Sequence, residues 1–283
     1  SLKQTWEEVT AAPAFTGLLN ETYGSGAEAA YSTRRLNGNI TDCMVIRRAS
    51  DSTLTTIGFD GSGNIDETAI ETFCTGTTCT VYCWKDQSGN GNDAIAASTG
   101  AEPKIYESGE LIKNNGRLAL QGYSGGNGPL TLDTPLVLSS EFSHFTLCTT
   151  SGTDNPWGGD AANTTWLYFP NTTGSWRLFL NGSASQYNVP FTPSGTRLLQ
   201  NHNRNSSNSI PLYLSGTLTD TLTNSNTANI KTVAGGNWFD YKGQAQEIIF
   251  YSSDKSSVRT DIEQNVGDYF TQNTPLLDTY SGA

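Results

Sequence analysis

Short runs in which apolar and polar positions alternate recur along most of the chain and predict β-strands. The clearest alternating runs are residues 79–84 (CTVYCW), 176–180 (WRLFL) and 211–214 (PLYL). A more continuously apolar run, residues 244–251 (QAQEIIFY), is typical of a central, buried strand. Between such runs stand turn-forming dipeptides, at positions 60–61, 90–91, 115–116 and 181–182. The pattern predicts antiparallel sheets of short strands.

Helical periodicity is confined to three short stretches. Residues 66–73 have Asp66 as a candidate N-cap and acidic residues in the first turn. Residues 256–270 place apolar side chains three or four positions apart, namely Val258, Ile262, Val266, Tyr269 and Phe270. Residues 27–36, which are rich in alanine, are predicted as a third helix. Many short strands with few helices indicate an all-β fold, a two-sheet antiparallel sandwich.

Composition and charge exclude several classes of protein. The chain has 16 basic and 27 acidic residues, a net charge of −11, and no basic block, which argues against nucleic acid as a partner. No apolar run approaches the ~18 residues of a membrane helix, so no membrane insertion is expected. Aromatic residues make up 10% of the chain, enough to argue against disorder.

The sequence is interpreted as a single domain spanning residues 1–283, because no linker is visible. Residues 1–26 are a lead-in and residues 271–283 a tail. The phrase LLNETYGSGA at 18–27 is echoed by LLDTYSGA at 276–283. Either the echo is a coincidence in a biased composition, or the chain is one unit of a tandem array. No signal peptide is visible, so any leader has been removed or lies outside this chain.

Five cysteines are present, and two of them, Cys74 and Cys79, bracket a turn-forming TGTT stretch. A small disulfide loop is feasible there, the alternative being buried thiols. The pairing of the other three, Cys43, Cys83 and Cys148, is open. No metal site is expected, since no CxxC pair occurs and both histidines lie far in sequence from the cysteine cluster.

Residues 60–66 (DGSGNID) superficially resemble a calcium loop. The glycine spacing differs from that of an EF-hand, and no glutamate occupies the twelfth position. We therefore expect no cofactor, with calcium at this loop as the alternative.

Several motifs together resemble the opening of the α-L-arabinofuranosidase B catalytic-domain family. They are YSTRRL at 31–36, IRRASD at 46–51, IGFD at 57–60, TFCTGTTC at 72–79 and KDQSGNGNDA at 85–94. The end of the chain, residues 247–270, is similar to the closing strand and helix of many such sandwiches. The resemblance implies a concanavalin A-like, laminin-G-like jelly roll and a disulfide between Cys74 and Cys79. Similar modules are common in marine bacterial surface proteins and phage virions.

The catalytic carboxylates of that family are not matched here. A glycosidase needs two carboxyl groups flanking the scissile bond. The family's general acid lies in a Gly-Gly-Asp turn, which corresponds to residues 235–237, where Asn237 cannot donate the proton. The region matching the nucleophile, residues 163–169 (NTTWLYF), has no acid, and the family's adjacent cysteine pair is reduced to Cys148. Asp160 and Asp240 are the remaining candidate pair, and Asp154 and Asp220 are the other acids between Glu141 and Glu247.

Tryptophans in the second half of the chain indicate a carbohydrate-binding surface. A flat aromatic ring beside short polar side chains suits stacking on a sugar and bonding of its hydroxyls. The candidate residues are Trp166, Asn237, Trp238, Asp240 and Tyr241. For Trp166 and Trp176, positions in the core are the alternative. A Ser/His/Asp triad is not expected, because His144 and His202 are the only histidines and no GxSxG elbow occurs.

Two functions from different classes follow from this sequence. The first is a non-catalytic module of a virion or cell-surface appendage, located outside the cell or on a virion surface. Its partners would be other subunits of the assembly, further copies of itself, or a cell-surface glycan. The alternative is a glycoside hydrolase of the arabinofuranosidase B type that uses a displaced carboxylate pair, Asp160 and Asp240.

Overall fold

The fold was analysed in a computed structural model. The structure describes residues 15–122, 129–149, 156–159, 165–168, 176–189, 197–235 and 241–270. Several positions singled out in the sequence lie outside these residues, namely Asn237, Trp238, Asp240, Asp160, Asp154 and the second copy of the terminal echo.

Within these ranges the chain is mostly strand. The strands are β1 Ala27–Ser32, β2 Asp42–Arg48, β3 Leu54–Gly58, β4 Cys79–Trp84, β5 Ala94–Ala96, β6 Lys104–Glu107, β7 Glu110–Leu111, β8 Lys113–Asn114, β9 Arg117–Leu118, β10 Leu120–Gln121, β11 Leu130–Leu138, β12 Phe142–Thr149, β13 Trp157–Gly158, β14 Trp166–Tyr168, β15 Trp176–Leu180, β16 Ser183–Tyr187, β17 Arg197–Arg204, β18 Ser209–Leu214, β19 Thr217–Thr223, β20 Ala228–Val233 and β21 Gln244–Tyr251. The α-helices are α1 Glu67–Cys74 and α2 Arg259–Phe270, and short 3-10 turns occupy Leu18–Asn20, Thr99–Ala101 and Ser256–Val258.

These strands form two antiparallel layers. The first sheet has the order β19–β18–β17–β12–β21, and β1 and β10 share the outer edge of β21. The second sheet has the order β3–β2–β4–β5–β11–β20–β13–β14–β15–β16. Strand β6 pairs with both β4 and β10 and so connects the two sheets. The predicted two-sheet antiparallel sandwich with a helix near the C-terminus is confirmed.

The interior has two apolar clusters, one on each face of the first sheet. The main core lies between the sheets and includes Trp84, Trp157 and Trp176. The second cluster lies on the opposite face, where Phe145 and Tyr251 pack against side chains of α2. Both faces of the first sheet are therefore covered, which is why β12 and β21 are buried over nearly their whole length.

Two of the three predicted helices are confirmed, and the third prediction is wrong. Asp66 caps α1 by accepting a hydrogen bond from the Ala69 N–H at 2.9 Å. The C-terminal helix begins in the 3-10 turn and ends at Phe270. The alanine-rich residues 27–36 instead begin with β1, which pairs along β21 and is buried. Pairing with a central strand outweighs the modest helix propensity of alanine.

The Asn-Gly dipeptides at 115–116 and 181–182 form tight hairpin turns, as predicted. In both, the two residues adopt positive φ, from 45° to 82°, which favours Asn followed by Gly. The first joins β8 to β9, and the second joins β15 to β16.

The motif at residues 85–94 fastens β1 to the end of β4. The Asp86 carboxylate accepts hydrogen bonds from the backbone N–H of Ala30, Ser88 and Asn92, all at 2.9 Å. Asp93 forms an ion pair with Lys85 at 2.6 Å. This acidic, amide-rich turn is therefore occupied by the chain's own backbone, and its role in the described structure is to hold the first strand.

The predicted disulfide between Cys74 and Cys79 is confirmed. It links the last residue of α1 to the first residue of β4, and the two Cα atoms are 5.9 Å apart. That distance lies within the usual range for a disulfide.

Replacing both cysteines by serine should lower the free energy of unfolding by about 2 kcal/mol, because the bridge closes only a short loop in the unfolded chain. Urea denaturation of the wild type and of the Cys74→Ser/Cys79→Ser variant measures this difference. As a control, a reducing agent should shift the wild type alone. An unchanged midpoint in the variant would contradict a stabilising role for the bridge.

Candidate functional site

At one end of the sandwich, four connections cross from one sheet to the other. They join β10 to β11, β12 to β13, β16 to β17, and β20 to β21. The hairpin connection from β14 to β15 opens at the same end, as the register of Tyr168 with Arg177 shows. We call this end the loop end. Loops on a rigid sandwich are where binding and catalytic groups concentrate, so the loop end is the candidate site.

Hydrogen bonds between described residues fix the bases of two of these connections. Tyr241 donates its hydroxyl to the Thr149 carbonyl oxygen at 3.0 Å, and the Gln244 N–H donates to Thr149 Oγ1 at 2.9 Å. On the other sheet, the Gly235 N–H donates to the Pro156 carbonyl oxygen at 3.4 Å. The described residues on either side of positions 150–155 therefore contact those on either side of positions 236–240. Asp154 belongs to the first segment and Asp240 to the second.

The flanks of Asp160 lie elsewhere. Asp160 follows Gly159, whose N–H donates to the Thr165 carbonyl oxygen. The Thr165 hydroxyl accepts hydrogen bonds from the backbone N–H of Asn229 and Asn181, at the start of β20 and the turn after β15. The register of Gly158 with Thr232 places Gly159 beside the middle of β20, whereas Gly235, which precedes residues 236–240, follows the end of that strand. At ~3.3 Å per residue, the level of Gly159 is roughly 13 Å from that of Gly235.

This arrangement changes the ranking of the candidate carboxylates. Paired glycosidase carboxyl groups lie about 5–10 Å apart. The described flanks do not bring Asp160 and Asp240 together, whereas those of Asp154 and Asp240 are in contact. Sequence reasoning named Asp154 only as one remaining acid, because the shared base of its loop depends on contacts between residues 149, 156, 235 and 241.

Tyr241 has a supporting position rather than an exposed one. Its side chain is 2% exposed, and its hydroxyl is bonded to Thr149. A Cβ on Gly122 would lie 2.0 Å from the Tyr241 carbonyl oxygen, and a Cβ on Gly243 would lie 1.8 Å from that of Thr149. Glycine is therefore required at both positions by close backbone approach. The Tyr241 ring is not placed to stack on a sugar, contrary to the expectation from the sequence.

The described tryptophans in the second half of the chain lie on strands. Trp157 and Trp176 are 2% and 1% exposed and belong to the main core, as the alternative reading of Trp176 predicted. The backbone of Trp166 lies in β14, between Gly158 of β13 and Phe179 of β15. Trp238 and Asn237 remain predictions for the loop end.

The two histidines are buried together between the sheets. His144 of β12 and His202 of β17 are register partners, and their rings stack with centroids 4.5 Å apart. Burial lowers the pKa of His202 to about 3. Burial and the neighbouring His202 lower the pKa of His144 well below its ordinary value. Both rings are neutral and closed to solvent near pH 7, so neither can serve a substrate as acid or base.

The remaining cysteines are also buried. Burial, with a smaller contribution from Asp93, raises the pKa of Cys83 to about 11. Burial likewise raises the pKa of Cys43. The Cys148 sulfur accepts a hydrogen bond from the Gln200 side chain at 3.3 Å. High thiol pKa values and burial make Cys43 and Cys83 poor nucleophiles.

The loop at residues 60–66 uses its oxygens for internal hydrogen bonds. Asp60 accepts from the backbone N–H of Ser62 and Asn64, each at 2.8 Å, and from the Asn64 side chain at 3.0 Å. The Asn64 amide oxygen accepts a hydrogen bond from Arg117, which places a positive charge beside the loop. In the part of the chain that the structure describes, no three His, Cys, Asp or Glu side chains are grouped to hold a metal ion.

The described helices are also too short or too polar to cross a membrane.

Comparison with known proteins relates the first part of the chain to one enzyme family. The family model for the catalytic domain of α-L-arabinofuranosidase B matches residues 20–116. The α-L-arabinofuranosidase B of Emericella nidulans is 40% identical over 89 residues, which cover 28% of this chain and 17% of that protein. The Aspergillus niger enzyme is 41% identical over 75 residues, 25% of this chain and 15% of that protein. The match thus spans less than a fifth of these relatives' length.

Solved structures extend the similarity to most of the fold. A crystal structure of an arabinofuranosidase complexed with arabinofuranosyl-α-1,2-xylobiose superposes with a TM-score of 0.61 at 17% identity, covering 85% of this chain and 62% of that chain. A GH54 α-L-arabinofuranosidase soaked with a cyclic sulfate inhibitor gives a TM-score of 0.60 with the same identity and coverage. At this identity the likeness shows a shared fold.

Proposed function

We propose that this chain is a glycoside hydrolase domain that acts on arabinofuranosyl-containing glycans at the loop end. The observation that carries the proposal is the match of residues 20–116 to the arabinofuranosidase B catalytic family, at 40% identity to one of its members. The shared sandwich fold supports it over the rest of the chain. These comparisons favour the glycosidase alternative over the non-catalytic virion or adhesion role.

The proposed chemistry needs two carboxyl groups at the loop end. One protonates the leaving glycosidic oxygen while the other either attacks the anomeric carbon or activates a water. Asp240 is the acid nearest in sequence to the unmatched Asn237. Asp154 is the proposed partner, because residues 149 and 156 at the base of its loop contact Tyr241 and Gly235. Asp160, the partner expected from the sequence, remains the competing choice.

We place the domain in an oxidising, extracellular environment. The support for this proposal is the disulfide between Cys74 and Cys79, since such bonds persist mainly outside the cytosol.

The test is hydrolysis of an aryl α-L-arabinofuranoside and of arabinan by four single variants. Asp240→Asn and Asp154→Asn should each lower kcat by at least about 100-fold, because each removes a proton donor or a nucleophile. Asp160→Asn should keep most of the activity. Asp133→Asn, at an exposed position on β11, is the matched control and should match the wild type.

The outcomes separate the assignments. Loss of turnover in Asp160→Asn with normal turnover in Asp154→Asn would overturn the Asp154 assignment and support the pair expected from the sequence. Absence of turnover in the wild type, on both substrates, would overturn the hydrolase proposal.

A second candidate is glycan binding without hydrolysis. It is favoured by Asn237, which stands where the family has its general acid. Saturable binding of arabino-oligosaccharides in calorimetry, with no released sugar, would establish it. Assembly with virion or surface subunits, or with further copies of the chain, stays a separate proposal. Light scattering of the purified chain would check self-association.

A further inference from the structure

A cavity of about 330 Å³ lies on the flank of the sandwich. Its walls come from the first turn of α1, the hairpin between β8 and β9, and the last turn of α2. The polar lining includes Asp60, Asn64, Asp66, Glu67, Arg117 and Tyr269. A neighbouring cavity of about 170 Å³ shares Tyr269 as a wall. None of these residues belongs to the loop-end site.

The carboxylates of this cavity are held in place, and two of them keep an oxygen that accepts no hydrogen bond from the described residues. Asp66 uses Oδ1 to cap α1, and its Oδ2 has no hydrogen bond within the described structure. Glu67 pairs through Oε2 with Lys113 at 2.7 Å, which leaves Oε1. Burial alone would raise the pKa of Asp60, but hydrogen bonds from Asn64 and Ser62 outweigh it and lower that pKa. The hydrogen bonds and the ion pair hold the carboxylate oxygens of all three residues in place as acceptors.

Arg117 lines the same cavity and supplies hydrogen-bond donors. Arg117 donates through Nε to the Tyr269 carbonyl oxygen and through Nη1 to the Asn64 amide oxygen, each at 3.1 Å. Its guanidinium lies 4.1 Å from the centre of the Tyr269 ring. Nη2 remains for a ligand, and Tyr269 holds the guanidinium in place.

From this arrangement we infer that the cavity is a second carbohydrate site, which holds a sugar residue of a neutral glycan chain. Each sugar hydroxyl donates one hydrogen bond and accepts others, so neighbouring hydroxyls match acceptors set beside a donor. Arg117 opposes a metal cation, and three carboxylates oppose an anion. The volume is at the lower end of the ~300–1,000 Å³ of small-molecule sites, which suits one or two sugar rings.

The position of the cavity points to a role with polymeric glycans. Asn114, in the hairpin that forms one wall, donates to the Gln244 side chain at 2.9 Å, and Gln244 begins the strand that leaves the loop end. A chain long enough to pass from one place to the other is held at both. The identity of the sugar as arabinofuranose rests on the proposed function; the cavity itself specifies a neutral polyol.

The test uses affinity electrophoresis of the full chain in native gels containing arabinan. Asp66→Asn should weaken retardation about 10-fold, because Asn caps α1 as Asp does but loses the charged acceptor. Tyr269→Ala should weaken it at least as much, because Arg117 loses its support. The controls are Glu71→Gln, exposed on the same helix, and Tyr213→Ala, another tyrosine under an arginine. Both controls should be retarded like the wild type.

Turnover of the small aryl arabinofuranoside is measured in parallel and should be unchanged in both cavity variants. Normal retardation of Asp66→Asn and Tyr269→Ala would overturn the second site, whatever the outcome for hydrolysis. So would no retardation of the wild type by either arabinan or arabinoxylan. Calcium binding in calorimetry that Asp66→Asn abolishes, without an effect on glycan retardation, would overturn it in favour of a cation site. Failure of hydrolysis alone, with retardation lost only in the cavity variants, would overturn the proposed function and leave this site standing.

Discussion

Replacing Arg34 by methionine should lower the free energy of unfolding by about 3–5 kcal/mol, because it leaves the Glu247 carboxylate buried without its counter-charge. The two side chains form a bidentate pair, Nε to Oε2 at 2.7 Å and Nη2 to Oε1 at 3.0 Å. Glu247 is 1% exposed. Arg34 also donates to the Asn265 side chain at 2.7 Å, so the same guanidinium connects the segment after β1 to β21 and α2.

Chemical denaturation of three variants checks this expectation. Arg34→Met alone should be strongly destabilised. Adding Glu247→Leu to it should recover much of the loss, since an apolar pair can replace a buried ion pair. Arg48→Met breaks the exposed pair with Asp51 and should leave the stability close to that of the wild type. A loss below 1 kcal/mol in Arg34→Met, or no recovery in the double variant, would contradict a tightly coupled buried pair.

Acid should destabilise the protein between about pH 6.5 and pH 3 because of the two buried histidines. In the unfolded chain each histidine takes up a proton near pH 6.5. In the folded chain the pKa of His202 is about 3, and that of His144 is also lowered. Over that interval the unfolded state binds more protons, so stability is present above pH 6.5 and lost as the pH falls. For His202 alone the loss at pH 4 is about 3 kcal/mol.

The groups that face the pair make uptake of a proton costly. Trp157 meets the His144 ring edge-on at 4.7 Å, Phe250 stacks at 6.1 Å, and Tyr187 lies 5.2 Å from His202. Thr146 and Gln200 are register partners next to the pair along β12 and β17 and are buried. In these described surroundings no carboxylate compensates a charged imidazole.

The measurement is the free energy of unfolding as a function of pH, in the wild type and in His202→Leu. The variant should have a shallower slope between pH 6 and pH 4, whereas Glu71→Gln should keep the wild-type slope. If His202→Leu folds too poorly to measure, the NMR shifts of the wild-type histidines supply the test. Titration of either imidazole near pH 6.5 in the folded protein would contradict the expectation.

Features that arise from near neighbours in the sequence are predicted correctly, whereas features that depend on distant segments are not. The α1 cap at Asp66, the Asn-Gly turns and the 74–79 disulfide arise from neighbours within a few residues, and all are confirmed. The local pattern of residues 27–36 predicts a helix with Ala29, Ala30 and Leu36 on its inner side. The strand observed there is imposed by β21, more than 200 positions away in the sequence.

The candidate site shows the same division. The sequence pairs Asp160 with Asp240 because few acids occur between Glu141 and Glu247. That scarcity does not show whether the two carboxylates lie near each other. The contacts between Tyr241 and Thr149 and between Gly235 and Pro156 join residues about 80–90 positions apart. They bring the described flanks of Asp154 and Asp240 together, whereas Gly159, which precedes Asp160, lies beside the middle of β20.

By itself, the sequence determined that this is an acidic, all-β sandwich with short hairpins, a capped helix and one small disulfide loop, since turn chemistry, capping and side-chain alternation act over a few residues. Only the tertiary structure decided which strands pair and which loops share an end. It also decided that Tyr241 is buried and that Asp66, Arg117 and Tyr269 surround one cavity. These results depend on contacts between distant segments, whose free energy comes from burying both partners together.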